Sequence, residues 1–377
     1  MTVTLPSDGL AVVNNLLKQL KEGVPANASL VTLAFLGISR VGKTTMLDTM
    51  AEQFLETFRP ADGSEATVTL NPESPATALT SGGGRLQELR SRLRRHRDPS
   101  VDLPRDIFDG AIPPTKIPTV HRWVFDVVRA IGTQVFFRMA DPPGAWLNNA
   151  QGWEFEAMTR LIEAVDIVAI PIDTAALLQG DRDLNELRNA PSEIRAFFQY
   201  LSTRPESSRR SGWLFLLIPI RCEWWRWDDA QDADGNRLSR AVEAQRIFDQ
   251  VKLAYRDLID VVRQKWPASE FVVTPVETLG SVYHHRFADG DELPYGVFRK
   301  KSADASVKGV DTEQPVLHVL SRILAVQDAN RPRLLERGWL HNLWFGVRQD
   351  IIAAAELVRR KTKGAKGQPP RDGFGYL

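Results

Sequence analysis

The segment Gly37-Ile-Ser-Arg-Val-Gly42-Lys43-Thr44 constrains this chain more than any other. It follows LVTLAFL (30–36), an almost unbroken apolar run that suits a strand buried on both faces. It precedes a helical pattern running from Lys43 to about Phe58. Strand, glycine loop and helix start in that order make a cradle for phosphate. The glycines let the backbone curl until its N–H groups converge, and the helix start adds the positive end of its dipole. Every fixed position of G-x-x-x-x-G-K-[ST] is filled. The pattern assigns the phosphates to Gly37, Ser39, Arg40, Val41, Gly42, Lys43, Thr44 and Thr45. Lys43 would reach the β- and γ-phosphates, and the Thr44 hydroxyl would ligate Mg²⁺. Arg40 either neutralises charge from within the loop or faces solvent.

The rest of the chain alternates strand and helix. Strand-like runs occupy 118–128, 134–140, 165–172, 212–220 and 270–276, and helical patterns 7–23, 151–164, 182–203, 239–266, 313–328 and 332–360. That alternation predicts an α/β P-loop NTPase fold: a mostly parallel sheet, helices on both faces and extra C-terminal helices. The 118–140 hairpin adds one antiparallel strand. The expected organisation is an N-terminal helix (1–29) and a core domain (30–285) carrying an insertion (59–117). A C-terminal helical extension (286–362), irregular in its first part, and a disordered tail (363–377) complete it.

Composition narrows the function classes. With 48 basic and 47 acidic side chains the net charge is +1, which excludes a chain-wide electrostatic case for nucleic acid. A nucleic-acid partner is left only the cluster Arg85–Arg97, with six arginines and one glutamate. That cluster suits an acidic partner equally, or is a solvated helix whose Leu86, Leu89 and Leu93 pack inward. One cysteine, Cys222, excludes a disulfide framework or Cys-rich zinc site. No apolar run reaches transmembrane length and the N-terminus lacks a signal pattern. A cytoplasmic protein without membrane insertion is expected.

Asp141-Pro142-Pro143-Gly144 closes the 134–140 strand and fits D-x-x-G, in which the Asp holds Mg²⁺ through water and the Gly N–H senses the γ-phosphate. Thr115 and Thr119 are candidates for a further metal-organising hydroxyl; Thr115 is preferred because Thr119 falls where the strand begins. The catalytic set is thus Lys43, Thr44, Asp141, Gly144 and Thr115, with Thr44, Asp141 and Thr115 on the metal.

These motifs together resemble the translation-factor-related (TRAFAC) class of P-loop GTPases, and within it the bacterial double-GTPase families. The similarity extends through IPIRCE (218–223), VTPVETLG (273–280) and Glu313-Gln314-Pro315, and covers about residues 30–330. It implies GTP as ligand, slow hydrolysis, a switch read by an unidentified protein partner or oligomer, and a place in bacterial conflict or phage defence. The base-reading motif departs from the usual N/T-K-x-D: the position reads Ile220-Arg221-Cys222-Glu223. Arg221 would stack on the base and Glu223 replace the Asp, with Pro275 and Val276 against the base edge. Ala145 follows D-x-x-G where small GTPases carry a water-orienting Gln, which implies weak turnover. Two alternatives stay open: an ATPase regulator or motor that ignores Arg221 and Glu223, and a non-catalytic nucleotide-binding scaffold.

Three further features are read mainly as structure. The aromatic cluster Glu223-Trp-Trp-Arg-Trp227 reads first as local packing, with stacking on a base or a protein contact as the other readings. DDAQDADGN (228–236) fails as a calcium loop, because its first and twelfth ligand positions would be alanines. His284-His285 reads as an exposed pair.

Overall fold

A computed structural model describes residues 7–25, 29–38, 42–57, 68–72, 82–105, 107, 118–127, 134–147, 152–179, 182–205, 211–223, 240–289, 294–330, 355–366, 368 and 373–377. Its frame is a sheet with strand order β10-β7-β6-β5-β1-β4-β3-β2. The strands are β1 (Ser29–Phe35), β2 (Val68–Pro72), β3 (Thr119–Val127), β4 (Gln134–Asp141), β5 (Ile167–Asp173), β6 (Leu214–Ile220), β7 (Glu270–Val273) and, beyond a separate hairpin, β10 (Gly375–Tyr376). Neighbours from β7 through β6, β5 and β1 to β4 run parallel. The β2–β3, β3–β4 and β10–β7 pairs are antiparallel. The mostly parallel α/β sheet expected from the apolar runs is therefore present.

The reason lies in those runs. Every residue of β5 (IVAIPID) and β6 (LFLLIPI) is buried, which demands a covering layer on each face. Alternate residues divide between two cores. Val168, Ile170, Phe215 and Leu217 enter one; Ala169, Leu214, Leu216 and Ile218 enter the other. The first core is closed by α1 (Ser7–Lys21), α4 (Trp153–Ala164), α7 (Pro191–Ser202), α8 (Arg240–Ala254) and α9 (Arg256–Lys265). The second is closed by α2 (Lys43–Thr57), α10 (Gln314–Asn330) and Val358 of the helical segment 355–361.

The structure corrects the sequence expectations in five places. The 182–203 pattern is two helices, α6 (Arg182–Asn189) and α7, parted at Ala190 (φ 48°) just before Pro191. Proline disfavours helical geometry in the residue before it and is favoured at the first helical position. The 239–266 pattern likewise breaks at Tyr255 into α8 and α9. The insertion contributes strand β2 and helix α3 (Gly82–Arg95), so the sheet has more antiparallel strands than the single one expected. The stretch expected to be irregular carries an antiparallel hairpin, β8 (Val282–Ala288) and β9 (Tyr295–Lys300). The tail expected to be disordered ends in β10: Gly375 and Tyr376 pair with Val273 and Val272, and Arg263 donates to the Leu377 carbonyl at 2.6 Å. Short α5 (Thr174–Gln179) follows β5 directly.

Among the described residues no helix is long and apolar enough to cross a membrane.

Candidate nucleotide site at the ends of the parallel strands

The site is assembled where β1, β4, β5 and β6 end. The loop after β1 begins with Leu36 N–H donating to the Ala169 carbonyl (2.8 Å), so the loop is anchored on β5. It ends at Gly42, whose carbonyl accepts the first helical bond of α2, from Met46 N–H at 3.1 Å. The helix start therefore faces the loop, with its leading N–H groups lacking intrahelical partners. Gly42 has φ +104°, and a Cβ there would lie 3.0 Å from Ile220 Cδ1. The backbone favours glycine, and a Cβ would also press on Ile220. Gly42→Ala is expected to cost about 1–3 kcal/mol of stability, read as a lowered urea midpoint.

Lys43 is folded back over this loop. Its Nζ donates to the Gly37 and Pro142 carbonyls, each at 3.3 Å, and lies 3.8 Å from Asp141 Oδ1. The side chain is 7 % exposed. Burial lowers the ammonium pKa, and Asp141 opposes that shift. Asp141 is itself buried at the end of β4, in register with Thr119 across the β3–β4 pair. Thr119 thus lies in the strand, as expected. Gly144 opens a 3₁₀ turn (Gly144–Trp146) that leaves Ala145 exposed and packs Trp146 on Trp153, ring centroids 5.8 Å apart. Gly37, Gly42, Lys43, Asp141 and Gly144 are therefore brought to one end of the sheet. Thr45 is half-buried in the first turn of α2. Ser39, Arg40, Val41 and Thr115, and the side chain of Thr44, lie outside the described residues, as does the 224–236 stretch.

The β6 end is arranged differently from the expectation. Arg221 takes a left-handed backbone (φ 59°), and its Nη1 donates to Asp173 Oδ2 at 3.1 Å. Its guanidinium carbon lies 5.3 Å from the Phe298 ring centroid, and Nη2 is 3.7 Å from where a Gly42 Cβ would sit. Arg221 is thus set beside Gly42 at the start of α2. Asp173 also accepts from the Ala175 N–H at 3.0 Å. Burial pushes the Asp173 carboxyl up, but Arg221, Arg188 and the surrounding donors outweigh it and hold the pKa below its ordinary value.

Glu223 faces inward. It is fully buried, Oε1 accepts from the Leu279 N–H, and Oε2 has no hydrogen-bond partner among the described residues. Burial pushes its carboxyl up to about 8, Glu277 adding to the effect. Val276 and Pro275 are also buried; Val276 N–H donates to the Pro219 carbonyl (2.7 Å) and Cys222 N–H to the Val276 carbonyl (3.2 Å). The structure therefore brings Arg221 to the loop and leaves Glu223, Pro275 and Val276 covered.

Sequence reading missed Asp173 and Phe298, which contact Arg221, and Arg188 and His284, which act on Asp173. Asp173 carried one usable signal, a charge closing an apolar strand. The expected exposed histidine pair is corrected: His284 is 1 % exposed.

The arginine-rich helix α3 is tied down by packing. Leu89 and Leu93 join a small core with Leu279, Val282 and Phe298. Arg90 forks onto Glu52 of α2 at 3.1 and 2.7 Å and donates to the Val307 carbonyl at 2.9 Å. Arg94, Arg95 and Arg97 stay exposed.

No protein-family model matches the chain, and no curated protein matches it. Among solved structures it is similar to the GTP-bound Ski7 GTPase-like domain of S. cerevisiae, at 11% identity and a TM-score of 0.35. That similarity covers 74% of this chain and 46% of the Ski7 chain, so this chain spans about half of its length. At that score the likeness carries no functional argument, and the site stands on its own geometry.

Proposed function

We propose that the chain binds a nucleoside triphosphate with Mg²⁺, prefers GTP, hydrolyses it slowly and alters partner binding with nucleotide state. The observation that carries this reading is Lys43. A buried ammonium at a helix start, now held by two loop carbonyls and facing a strand-end aspartate, is a cation that with the helix N–H groups suits an anionic ligand. Triphosphate oxygens would replace the carbonyls of Gly37 and Pro142. Mg²⁺ fits the donors at hand, since it takes one or two carboxylates and completes its shell with phosphate and water. Asp141 would hold it with Thr44 and, from the 110–119 segment, Thr115. When bound, the ion offsets charge developing on the phosphoryl oxygens.

Weak turnover follows from Ala145. A methyl group cannot orient the attacking water, so rapid hydrolysis would need a polar group from elsewhere in the chain or from a partner. Switching has a physical route in the contact chain from α3 through Phe298 to Arg221 beside Gly42. Lys300 reinforces it by donating from β9 to the His96 carbonyl at 2.9 Å, just past α3. The exposed Arg94, Arg95 and Arg97 would then be a surface that an acidic protein partner reads.

Burial of Glu223 favours a second reading, a triphosphate site with relaxed base choice, as in an ATPase regulator. Titration calorimetry with GTP and ATP, each with Mg²⁺, separates the two. A GTP preference of about tenfold or more supports the switch. Equal affinities or an ATP preference would keep the phosphate site and remove the guanine reading. Absence of binding by either nucleotide would end both.

A further inference from the structure

The β8–β9 hairpin lies against the Arg221 end of the site through two side chains, Phe298 under the Arg221 guanidinium and His284 beside it. His284 stands between Phe287 and Phe298, with ring centroids 4.4 and 5.6 Å away. Asp173, Arg221, Arg188 and His285 are the charged and titratable groups that act on it electrostatically. Although the ring is 1 % exposed, neither Nδ1 nor Nε2 has a hydrogen-bond partner among the described residues. A buried imidazole lacking both bonds needs an explanation, because each polar atom has given up water without replacement.

The local backbone is built around this ring. The β8–β9 register shifts between His284 and Arg286, an irregularity of the kind that re-aims side chains beside functional sites. Gly296, which pairs with Phe287 just past the shift, leaves room for the ring: a Cβ there would be 3.1 Å from His284 Cδ2. The hairpin is also pinned to the sheet side of the site, since Arg188 donates to the Pro294 carbonyl at 2.5 Å. Irregular register, absent side chain and pin all serve to hold one imidazole next to the Asp173–Arg221 pair.

We propose that His284 is a further nucleotide-binding residue of this site, contributed by the β8–β9 hairpin, and that its ring nitrogens take the polar edge of a purine base. The inference rests on the triphosphate reading above and extends it from the phosphates to the base. Burial lowers the imidazole pKa to about 4, so the ring is neutral at neutral pH and offers one donor and one acceptor. A purine edge presents both kinds of group, whereas phosphate presents acceptors alone. In the bound state the two bare nitrogens would gain partners on the base.

The test uses the full chain, with GTP, ATP and inorganic tripolyphosphate as probes, each with Mg²⁺. His284→Phe keeps a ring between Phe287 and Phe298 and removes both nitrogens; His284→Gln restores a donor and an acceptor. His284→Phe is expected to melt no lower than the parent chain. Its affinity for the preferred nucleotide should fall about tenfold or more, while tripolyphosphate affinity stays unchanged. His284→Gln should recover part of the loss. An equal fall for nucleotide and tripolyphosphate, or no fall for either, would overturn the role of His284 while leaving the phosphate site intact. If His284→Phe does not fold, His284→Leu takes its place with the same outcomes: loss of the base-dependent gain over tripolyphosphate supports the inference, and an unchanged gain overturns it. A parent chain that binds neither nucleotide nor tripolyphosphate would overturn the triphosphate reading and this inference together.

Discussion

Replacing Lys43 with alanine is expected to cut GTP affinity by about thirtyfold or more, because truncating one partner of a buried charge pair costs about 2–5 kcal/mol. Lys43 is 7 % exposed, and the present partners of its ammonium are two carbonyls that a triphosphate would displace. The loss should be graded by ligand. If Lys43 serves the β- and γ-phosphates, GTP suffers most, GDP less and GMP least. A general collapse of the loop would instead weaken all three alike. Lys43→Ala also removes the cation beside Asp141, whose carboxylate is buried. The melting temperature should therefore be followed with the affinity, and Lys43→Arg serves as a charge-preserving second variant. Unchanged GTP affinity in a folded Lys43→Ala chain would refute the site assignment.

How much of this could be read from the chain depends on the range of the interaction. The strand, loop and helix start around Gly37–Lys43 were legible because their pattern is local: an apolar strand, glycines at fixed spacing and a helix start all fall within a few residues. The place of Asp141 was legible for the same reason, as the charge that closes an apolar strand. Arg221 was singled out, but its partners were not. Asp173, on the adjoining strand, is 48 residues away in the sequence, and no spacing rule joins the two. His284 and Phe298 lie on a hairpin whose strand VYHHRFA mixes charge and aromatic residues without clean alternation, so no period marks it. Glu223 shows the converse failure. A charged residue just after a strand reads as an exposed ligand group, yet a backbone N–H from Leu279 draws it inward. The same holds for the fold: β5 and β6 are continuous apolar runs and were plain, whereas β10 is two residues long and depends on partners in β7.

The inward turn of Glu223 has a measurable consequence. Its carboxyl is pushed up to about 8 from an ordinary 4.5. Between those values the folded chain holds a proton that the unfolded chain has released. Stability then falls as pH rises, by about 1.4 kcal/mol per pH unit for one such group. The penalty is absent below pH 4.5 and complete above pH 8. Other groups contribute slopes of their own: His284 and His318, both lowered to about 4 by burial, cost stability as pH falls from 6.5. Comparing Glu223→Gln with the parent chain isolates the one group. Glutamine keeps an oxygen for the Leu279 N–H and cannot ionise. In urea titrations the variant's stability relative to the parent should rise by about 3 kcal/mol between pH 5 and pH 7.5. A difference that stays constant across that range would mean that Glu223 titrates normally and is open to solvent. The same measurement bears on base choice. A protonated carboxyl is a poor substitute for the anionic acceptor that a guanine edge requires. If Glu223 reads guanine at all, GTP preference in the parent chain must therefore strengthen as pH approaches 8, and in Glu223→Gln it must not.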